Sequence, residues 1–132
     1  KLAARLSRFA AVYHRVLPVL LELNTSGEAS KYGFPVSGEV SWEPIFSQVA
    51  QILELPGLSV RGLMTIGPLV DDPEQARPAF RLVQRVRAAL SRRFPQASWD
   101  ELSMGMSADF PVAIQEGATL VRLGTAILGP RL

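Results

Sequence analysis

The sequence predicts an α/β protein with a parallel β-sheet. Four short apolar runs, typical of buried strands, alternate with segments whose apolar residues recur at the spacing of an amphipathic helix. The chain has 132 residues, enough for one domain but well short of the larger α/β barrels, which run to about 250 residues. Two architectures fit this order of elements: a small doubly wound sheet, or four β/α units of an eightfold barrel.

The chain opens with a predicted helix followed by the first strand. Apolar residues recur at helical spacing at Leu2, Leu6, Phe9 and Tyr13. The nearly continuous apolar run VLPVLLEL, residues 16–23, predicts a parallel strand covered on both faces. Pro18 weakens this prediction, because proline donates no hydrogen bond to a neighbouring strand.

A second helix and strand follow a polar loop that covers residues 24–40. Ser41 is predicted to cap the helix, and Pro56 with Gly57 to end it. The predicted buried stripe of this helix consists of Ile45, Val49, Ile52 and Leu53. The second strand is LSVRGLMTI, residues 58–66.

The third helix is preceded by a capping signal. Asp72 followed by Pro73 is typical of a helix start, and Pro78 is expected to kink the helix or delay it. The buried stripe is Phe80, Val83, Val86 and Leu90. Pro95 is predicted to end the helix.

The C-terminal third is predicted to contain a strand, a short helix and a last strand. The third strand lies near WDELSM, residues 99–104, and the fourth is TLVRL, residues 119–123. The short helix between them carries Val112, Ala113 and Ile114, and Gly117 is its expected end. In a parallel sheet, ligands bind at the carboxyl ends of the strands. The informative loops are therefore Asn24–Gly33, Gly67–Asp72, Met104–Asp109 and Gly124–Gly129.

Composition excludes several classes of function. The net charge is only +2, and the arginines of the third helix resemble a solvated helix face, so a nucleic-acid interface is not expected. The chain has no cysteine and a single histidine, His14, which argues against thiol chemistry and a transition-metal site. No apolar run is long enough to span a membrane, and the N-terminal pattern is helical rather than that of a signal peptide. We therefore expect a cytoplasmic protein.

The stretch LSMGMSADF, residues 102–110, combines small and hydroxyl-bearing residues before the short helix. Ser107 is predicted to stand at the start of that helix, where free N–H groups and the helix dipole attract an anion. After the last strand, Gly124 lets a ligand approach the backbone closely, and Thr125 offers a hydroxyl. Barrel enzymes often bind phosphate between their last two loops. An ordinary cap at Ser107 and a tight turn at Gly124 explain the same residues without a ligand.

Arg122 is the unusual residue of the last strand, because a permanent charge stands in an apolar run. Its side chain alternates in direction with those of Val121 and Leu123. It either points to the ligand face as a hydrogen-bond donor or meets solvent at the strand end, and the pattern leaves both open. Lys31, in SGEASKYGF, could meet an acidic ligand, but the pattern favours a solvated loop lysine.

The segment LSMGMSADFPVAIQEGATLVRLGTAILG closely resembles the terminal signature of the pyridoxal phosphate homeostasis proteins. VLLELNTSGEASKYGF and RGLMTIG extend the resemblance over essentially the whole chain. The resemblance implies a barrel of the alanine racemase N-terminal type that binds pyridoxal 5'-phosphate. It implies that Ser107, Gly124 and Thr125 hold the phosphate and that Arg122 hydrogen-bonds the pyridine nitrogen. Strand-end residues that would line the same pocket are Asn24, Met64 and Ser103.

The same resemblance implies that the chain is the second half of a (β/α)8 barrel, about strands five to eight. In the family a lysine near the N-terminus holds the cofactor as a Schiff base, whereas the only lysines here are Lys1 and Lys31, outside that motif. We expect half a barrel to expose strand edges, and so to self-associate through residues 16–23 and 119–123 or to pair with a missing N-terminal half.

The predicted function is cofactor binding in vitamin B6 and amino-acid homeostasis, without turnover. One alternative is a fragment of a racemase or decarboxylase barrel, which would exchange the α-proton of an amino acid. A third possibility is a small doubly wound domain that binds phosphate esters unrelated to pyridoxal.

Overall fold

The computed structural model describes residues 1–37 and 41–130. Helices and strands follow the predicted order, with one additional short strand and one additional short helix after the last strand. The elements are α1 (Leu2–Val12), β1 (Leu17–Asn24), β2 (Phe34–Pro35), α2 (Glu43–Leu53), β3 (Leu58–Thr65), α3 (Arg77–Arg93), β4 (Glu101–Met106), α4 (Phe110–Gln115), β5 (Leu120–Arg122) and α5 (Thr125–Leu128).

All strand pairs of the sheet are parallel, and the strand order is β2-β1-β3-β4-β5. Strands β1, β3, β4 and β5 are neighbours in this order with a helix between each pair, whereas β2 pairs with the outer edge of β1. The predicted α/β class with a parallel sheet is confirmed.

Strand β2 lies inside the segment that the sequence predicted to be a loop, residues 24–40, of which residues 38–40 lie outside the described part. It pairs Phe34 with Leu23 at the carboxyl end of β1. Gly33 has φ +103°, and a Cβ there would lie 2.8 Å from the Glu22 carbonyl oxygen, so the close approach requires glycine. Two residues, one of them proline, carry no alternation signal, which is why the prediction missed this strand.

The hydrophobic core lies on one face of the sheet. Leu21 of β1, Leu63 of β3 and Leu102 of β4 are neighbours in register, so their side chains share this face, and all are buried. Val49 of α2 and Phe80 of α3 belong to the same buried cluster. The predicted stripes of α2 and α3 therefore face the core, although Ile52 and Leu53 of α2 are only partly buried.

The opposite face of the sheet is only half-covered. Leu20, Glu22 and Met64 alternate with the core residues and are partly exposed. The prediction that β1 is covered on both faces is therefore wrong for the described part of the chain. Leu20 faces the open side of the sheet but is apolar like the core-facing leucines of the same strand. Strand β1 is therefore nearly all apolar in sequence although only one of its faces is covered.

Helix α1 presents a different face from the one its apolar residues suggest. Leu2, Phe9 and Tyr13 are 68%, 57% and 71% exposed. The side that is buried holds Ser7 and Ala10, and Ser7 Oγ donates to the Pro56 carbonyl oxygen at 2.7 Å. The helix is present as predicted, but its apolar stripe is not part of the core.

Capping residues set the starts of the next helices. Asp72 Oδ1 accepts the Glu74 N–H at 3.0 Å, as predicted, but the turn that it caps is a 3-10 turn, and α3 starts at Arg77. Pro78 lies in the first turn of α3, so it delays the helix rather than kinking it. Ser41 Oγ is 3.4 Å from the Glu43 nitrogen, and Trp42 occupies the capping position of α2.

An ion-pair network connects the start of α3 to the end of α4. Arg77 donates to both carboxylate oxygens of Glu74, at 2.6 and 2.7 Å, and to Glu116 Oε1 at 2.6 Å. Arg81 Nε also reaches Glu116, at 3.2 Å. The hydrogen bond from Arg77 holds the pKa of the Glu116 carboxyl below its ordinary value, with a further contribution from Arg81.

None of the helices within residues 1–37 and 41–130 has the length and hydropathy that crossing a membrane requires.

Candidate binding site at the carboxyl edge of the sheet

The loops that follow the strands line a half-open cavity of about 780 Å³ at the carboxyl edge of the sheet. It is lined by Lys31 after β1, residues 67–70 after β3, residues 106–109 after β4, and Gly124 with Thr125 after β5. The four loops that the sequence singled out therefore meet at one place. The walls also include apolar side chains, namely Ile66, Leu69, Val70, Met106 and Leu128.

Ser107 connects the last two loops. Its Oγ accepts the backbone N–H of Gly124 at 3.2 Å and that of Ala126 at 3.1 Å. Ser107 therefore caps α5, and the prediction that it caps the short helix α4 is wrong. Two backbone donors converge on one oxygen at the cavity wall, which is the geometry that an anionic oxygen also requires.

Asp109 occupies the place that the sequence gave to Ser107. It is the N-terminal capping residue of α4 and is 8% exposed. Its Oδ1 accepts the Met106 N–H at 2.6 Å, which closes the turn that carries Ser107. Sequence reasoning missed Asp109, although an Asp two residues before Pro111 is a recognisable helix-start signal.

Arg122 lies across the open face of the sheet rather than in solvent. Its Nη1 donates to the Ser103 carbonyl oxygen at 3.0 Å and to Ser103 Oγ at 2.7 Å, and its Nη2 donates to the Thr65 carbonyl oxygen at 2.9 Å. A guanidinium has five N–H donors, so its Nε–H and one Nη2 proton have no acceptor among the described residues. The side chain is thus fixed and retains donors for a ligand.

Asn24 organises the loop that follows β1. Its Nδ2 donates to the Glu28 carbonyl oxygen at 2.9 Å and to the Lys31 carbonyl oxygen at 3.4 Å, and its Oδ1 accepts the Gly27 N–H at 3.0 Å. It lines a smaller cavity of about 200 Å³ that shares Lys31 and Ile66 with the main one. Its contacts within the described residues are those of a loop-positioning side chain.

The structure separates the predicted site residues into three places. Ser107, Gly124 and Thr125 line the main cavity. Met64 and Ser103 are paired neighbours on the open face of the sheet, where Arg122 reaches Ser103. Asn24 lies in the smaller cavity.

Lys31 is held against the cavity wall. Its side chain is 22% exposed, and its Nζ lies 2.6 Å from Glu28 Oε1 and donates to the Gly67 carbonyl oxygen at 3.1 Å. The hydrogen bond from Lys31 lowers the pKa of the Glu28 carboxyl. The expectation of a solvated loop lysine is therefore wrong, because the Asn24-organised loop turns this residue inward.

The chemistry of these groups suits an anionic ligand with an apolar body. Backbone N–H groups, hydroxyls and Lys31 are donors at the cavity, and Arg122 is a donor on the open face of the sheet. The lining also includes the Asp109 carboxylate, and most of its other side chains are apolar. Within the described ranges no cluster of His, Cys, Asp or Glu side chains could hold a metal ion.

Comparisons with known proteins give consistent results. The family model of the alanine racemase N-terminal domain matches residues 1–131. The pyridoxal phosphate homeostasis protein of Aquifex aeolicus is 42% identical over 98% of the chain, which spans 54% of that relative's length. PipY of Synechococcus elongatus, solved without PLP, superimposes with a TM-score of 0.85 at 33% identity over 97% of this chain and 57% of PipY. The same protein with PLP bound gives 0.81 at 32% identity, over 97% and 56% of the two chains.

Proposed function

The chain belongs to the alanine racemase N-terminal domain family, and we propose that it binds pyridoxal 5'-phosphate at the carboxyl edge of its sheet. The observation that carries the proposal is the convergence of the Gly124 and Ala126 N–H groups on Ser107 Oγ inside a cavity of about 780 Å³. PipY, which has a similar fold and sequence, has been solved with PLP bound.

The phosphate end of the ligand fits the loops after β4 and β5. A phosphate oxygen accepts the same kind of N–H donors that Ser107 Oγ now accepts, and its charge strengthens those bonds. A Cβ on Gly124 would meet no atom within 4 Å, so the space beside this backbone is open. Ser107 and Thr125 add two hydroxyls that can donate to the phosphate.

The ring end of the ligand fits the open face of the sheet. The family resemblance assigns Arg122 to the pyridine nitrogen, and its uncommitted N–H donors support that role. An arginine donor disfavours protonation of this nitrogen, so the bound cofactor supplies a weaker electron sink than one that faces a carboxylate. Arg122 is fixed by Ser103 and the Thr65 carbonyl, so these two residues position it.

We propose that residues 1–132 form the second half of an eight-stranded barrel domain. The strand pairs are parallel, one face of the sheet packs on helices, and the other face is partly exposed. A doubly wound sheet carries helices on both faces, whereas a barrel turns one face inward. The chain also spans 54% of the length of its Aquifex aeolicus relative.

Association with a second polypeptide copy, or with the other half of a barrel, is part of this proposal. Strand β5 is an edge of the described sheet, and β2 covers only the carboxyl end of β1, so most of β1 has an unpaired edge. Unpaired strand edges favour pairing with another chain. Sedimentation of the 132-residue chain tests this, and a compact monomer would contradict it. A cytoplasmic location stays a prediction.

The proposed role is reversible cofactor binding in vitamin B6 and amino-acid homeostasis rather than turnover. Titration of the chain with pyridoxal 5'-phosphate, followed by the absorbance of the ring, is compared with displacement by inorganic phosphate. We expect Ser107→Ala and Arg122→Ala each to weaken binding about tenfold, as for loss of a hydrogen bond to a charged group. Ser91→Ala and Arg92→Ala, on α3, are the matched controls.

Two results would contradict the proposal. Equal affinity for the cofactor and for inorganic phosphate, together with no effect of Arg122→Ala, would show that the ring is not recognised. Exchange of the α-proton of an amino acid in heavy water would favour the alternative of an enzyme fragment.

A further inference from the structure

We propose that Lys31 is a second anion-binding point of the cavity and selects ligands that carry a carboxylate besides the phosphorylated ring. The ligand class is that of conjugates between the phosphorylated pyridine ring and an amino acid. The inference rests on the proposed function, which supplies the ring and the phosphate end, and it adds the recognition of the group attached to the ring.

Lys31 is a fixed cation with a donor to spare. Its Nζ bonds the Gly67 carbonyl oxygen at 3.1 Å and Glu28 Oε1 at 2.6 Å, and its side chain is 22% exposed. An ammonium group has three N–H donors, so these two contacts leave one. The carbonyl oxygens of Glu28 and of Lys31 itself both accept from the Asn24 side chain, so this part of the loop is already ordered before a ligand arrives.

The position of the ammonium group suits the far end of a ligand. Gly67 follows β3, so the bond to its carbonyl places Nζ above the end of β3. Neighbouring strands lie about 4.8 Å apart, which puts the loops after β4 and β5 roughly 5–10 Å away. This separation is larger than a phosphate group, so a ligand held at Ser107 and Thr125 meets Lys31 with its other end.

The size and lining of the cavity also suit a conjugate. A half-open cavity of about 780 Å³ has room for a group attached to the phosphorylated ring. Ile66, Val70 and Leu128 line the cavity with Lys31 and can pack against an aliphatic side chain.

Glu28 is the carboxylate that a ligand would replace or join. Its side chain is 47% exposed, so water can solvate it when the pair with Lys31 opens. Its removal should therefore raise the affinity of Lys31 for a ligand carboxylate, while removal of Lys31 should abolish that affinity. The two variants act in opposite directions, which a purely structural role of the pair does not predict.

The test compares two stable conjugates that contain no aldehyde, N-(5'-phosphopyridoxyl)-L-alanine and N-(5'-phosphopyridoxyl)isopropylamine. They share the ring and the phosphate, and a methyl group replaces the carboxylate in the second. Calorimetric titration of the 132-residue chain should show about tenfold tighter binding of the alanine conjugate, the order expected of one charge-assisted hydrogen bond.

The variants identify the residue responsible. Lys31→Met should remove the preference and leave the affinity for the isopropylamine conjugate little changed, Lys31→Arg should keep the preference, and Glu28→Gln should increase it. Lys1→Met is the matched control, because Lys1 is the other lysine of the chain. Equal binding of the two conjugates by the unmodified chain, or equal weakening of both by Lys31→Met, would overturn the inference alone. Failure of both conjugates to bind would overturn the proposed function as well.

Discussion

Replacement of Gly105 by alanine should destabilise the fold through the contact between β4 and α4. Gly105 has φ +93°, and a Cβ there would lie 2.6 Å from the Ala113 Cβ and 3.0 Å from the Phe110 Cα. Ala113 is fully buried, so α4 must move away from the sheet to make room. The Gly105 backbone carries the middle of the stretch LSMGMSADF, so the same displacement would shift Ser107.

Two costs and one offset determine the size of the effect. A left-handed backbone costs an alanine about 1–2 kcal/mol, and overpacking of a core costs about 1–3 kcal/mol. Lower entropy of the unfolded chain offsets about 0.4–1 kcal/mol of this. We therefore expect Gly105→Ala to lower the free energy of unfolding by about 1–4 kcal/mol, out of about 5–15 kcal/mol for a typical domain.

Urea denaturation followed by tryptophan fluorescence measures this change. The matched control is Gly124→Ala, because a Cβ on Gly124 would meet no atom within 4 Å and should leave the unfolding midpoint unchanged. Gly124→Ala should instead weaken cofactor binding, since the Cβ would stand where the phosphate approaches. A Gly105→Ala protein as stable as the unmodified chain would refute the reasoning.

Two further predictions concern side chains outside the proposed ligand contacts. Asp109→Ala removes the acceptor of the Met106 N–H. We expect it to lower the free energy of unfolding by about 1–2 kcal/mol in denaturation and to weaken cofactor binding in titration. Asp109→Asn keeps an acceptor oxygen and should recover most of the stability and most of the affinity. The pKa of Glu116 is lowered in the fold by Arg77, so its contribution to stability is present above the ordinary carboxyl pKa and is lost as the pH falls through the folded value. Denaturation from neutral to acidic pH should therefore show a shallower loss of stability for Glu116→Gln than for the unmodified chain, and identical pH profiles would disprove this role.

Much of the fold was predictable because local signals and tertiary packing agree. The apolar stripe of α3 is buried in the core, as its spacing predicts, and Asp72 forms the expected cap. The convergence of the loops also followed from the sequence, because a parallel sheet places the carboxyl ends of its strands at one edge.

The errors occurred where a nearby residue competed for the same role or where a distant segment decided the outcome. Asp109 rather than Ser107 occupies the capping position of α4, and its side chain accepts the Met106 N–H of the preceding turn. The inward position of Lys31 depends on Asn24, and the orientation of Arg122 depends on oxygens of β3 and β4. The bonds of Arg122 join residues 19 and 57 positions apart in the chain, which periodicity does not report.

The contact of Ser107 with the two N–H groups of the last loop has a kinetic consequence. A site whose donors already hold a hydroxyl exchanges one acceptor for another when a phosphate arrives, and exchanges it back when the phosphate departs. Departure therefore returns both N–H groups to a partner within the protein, and because these groups are exposed, water can also hydrate them during the exchange. Under the proposed function we therefore expect rapid exchange of the phosphate end of the ligand, since its uptake and release cause no net loss of hydrogen bonds in this loop.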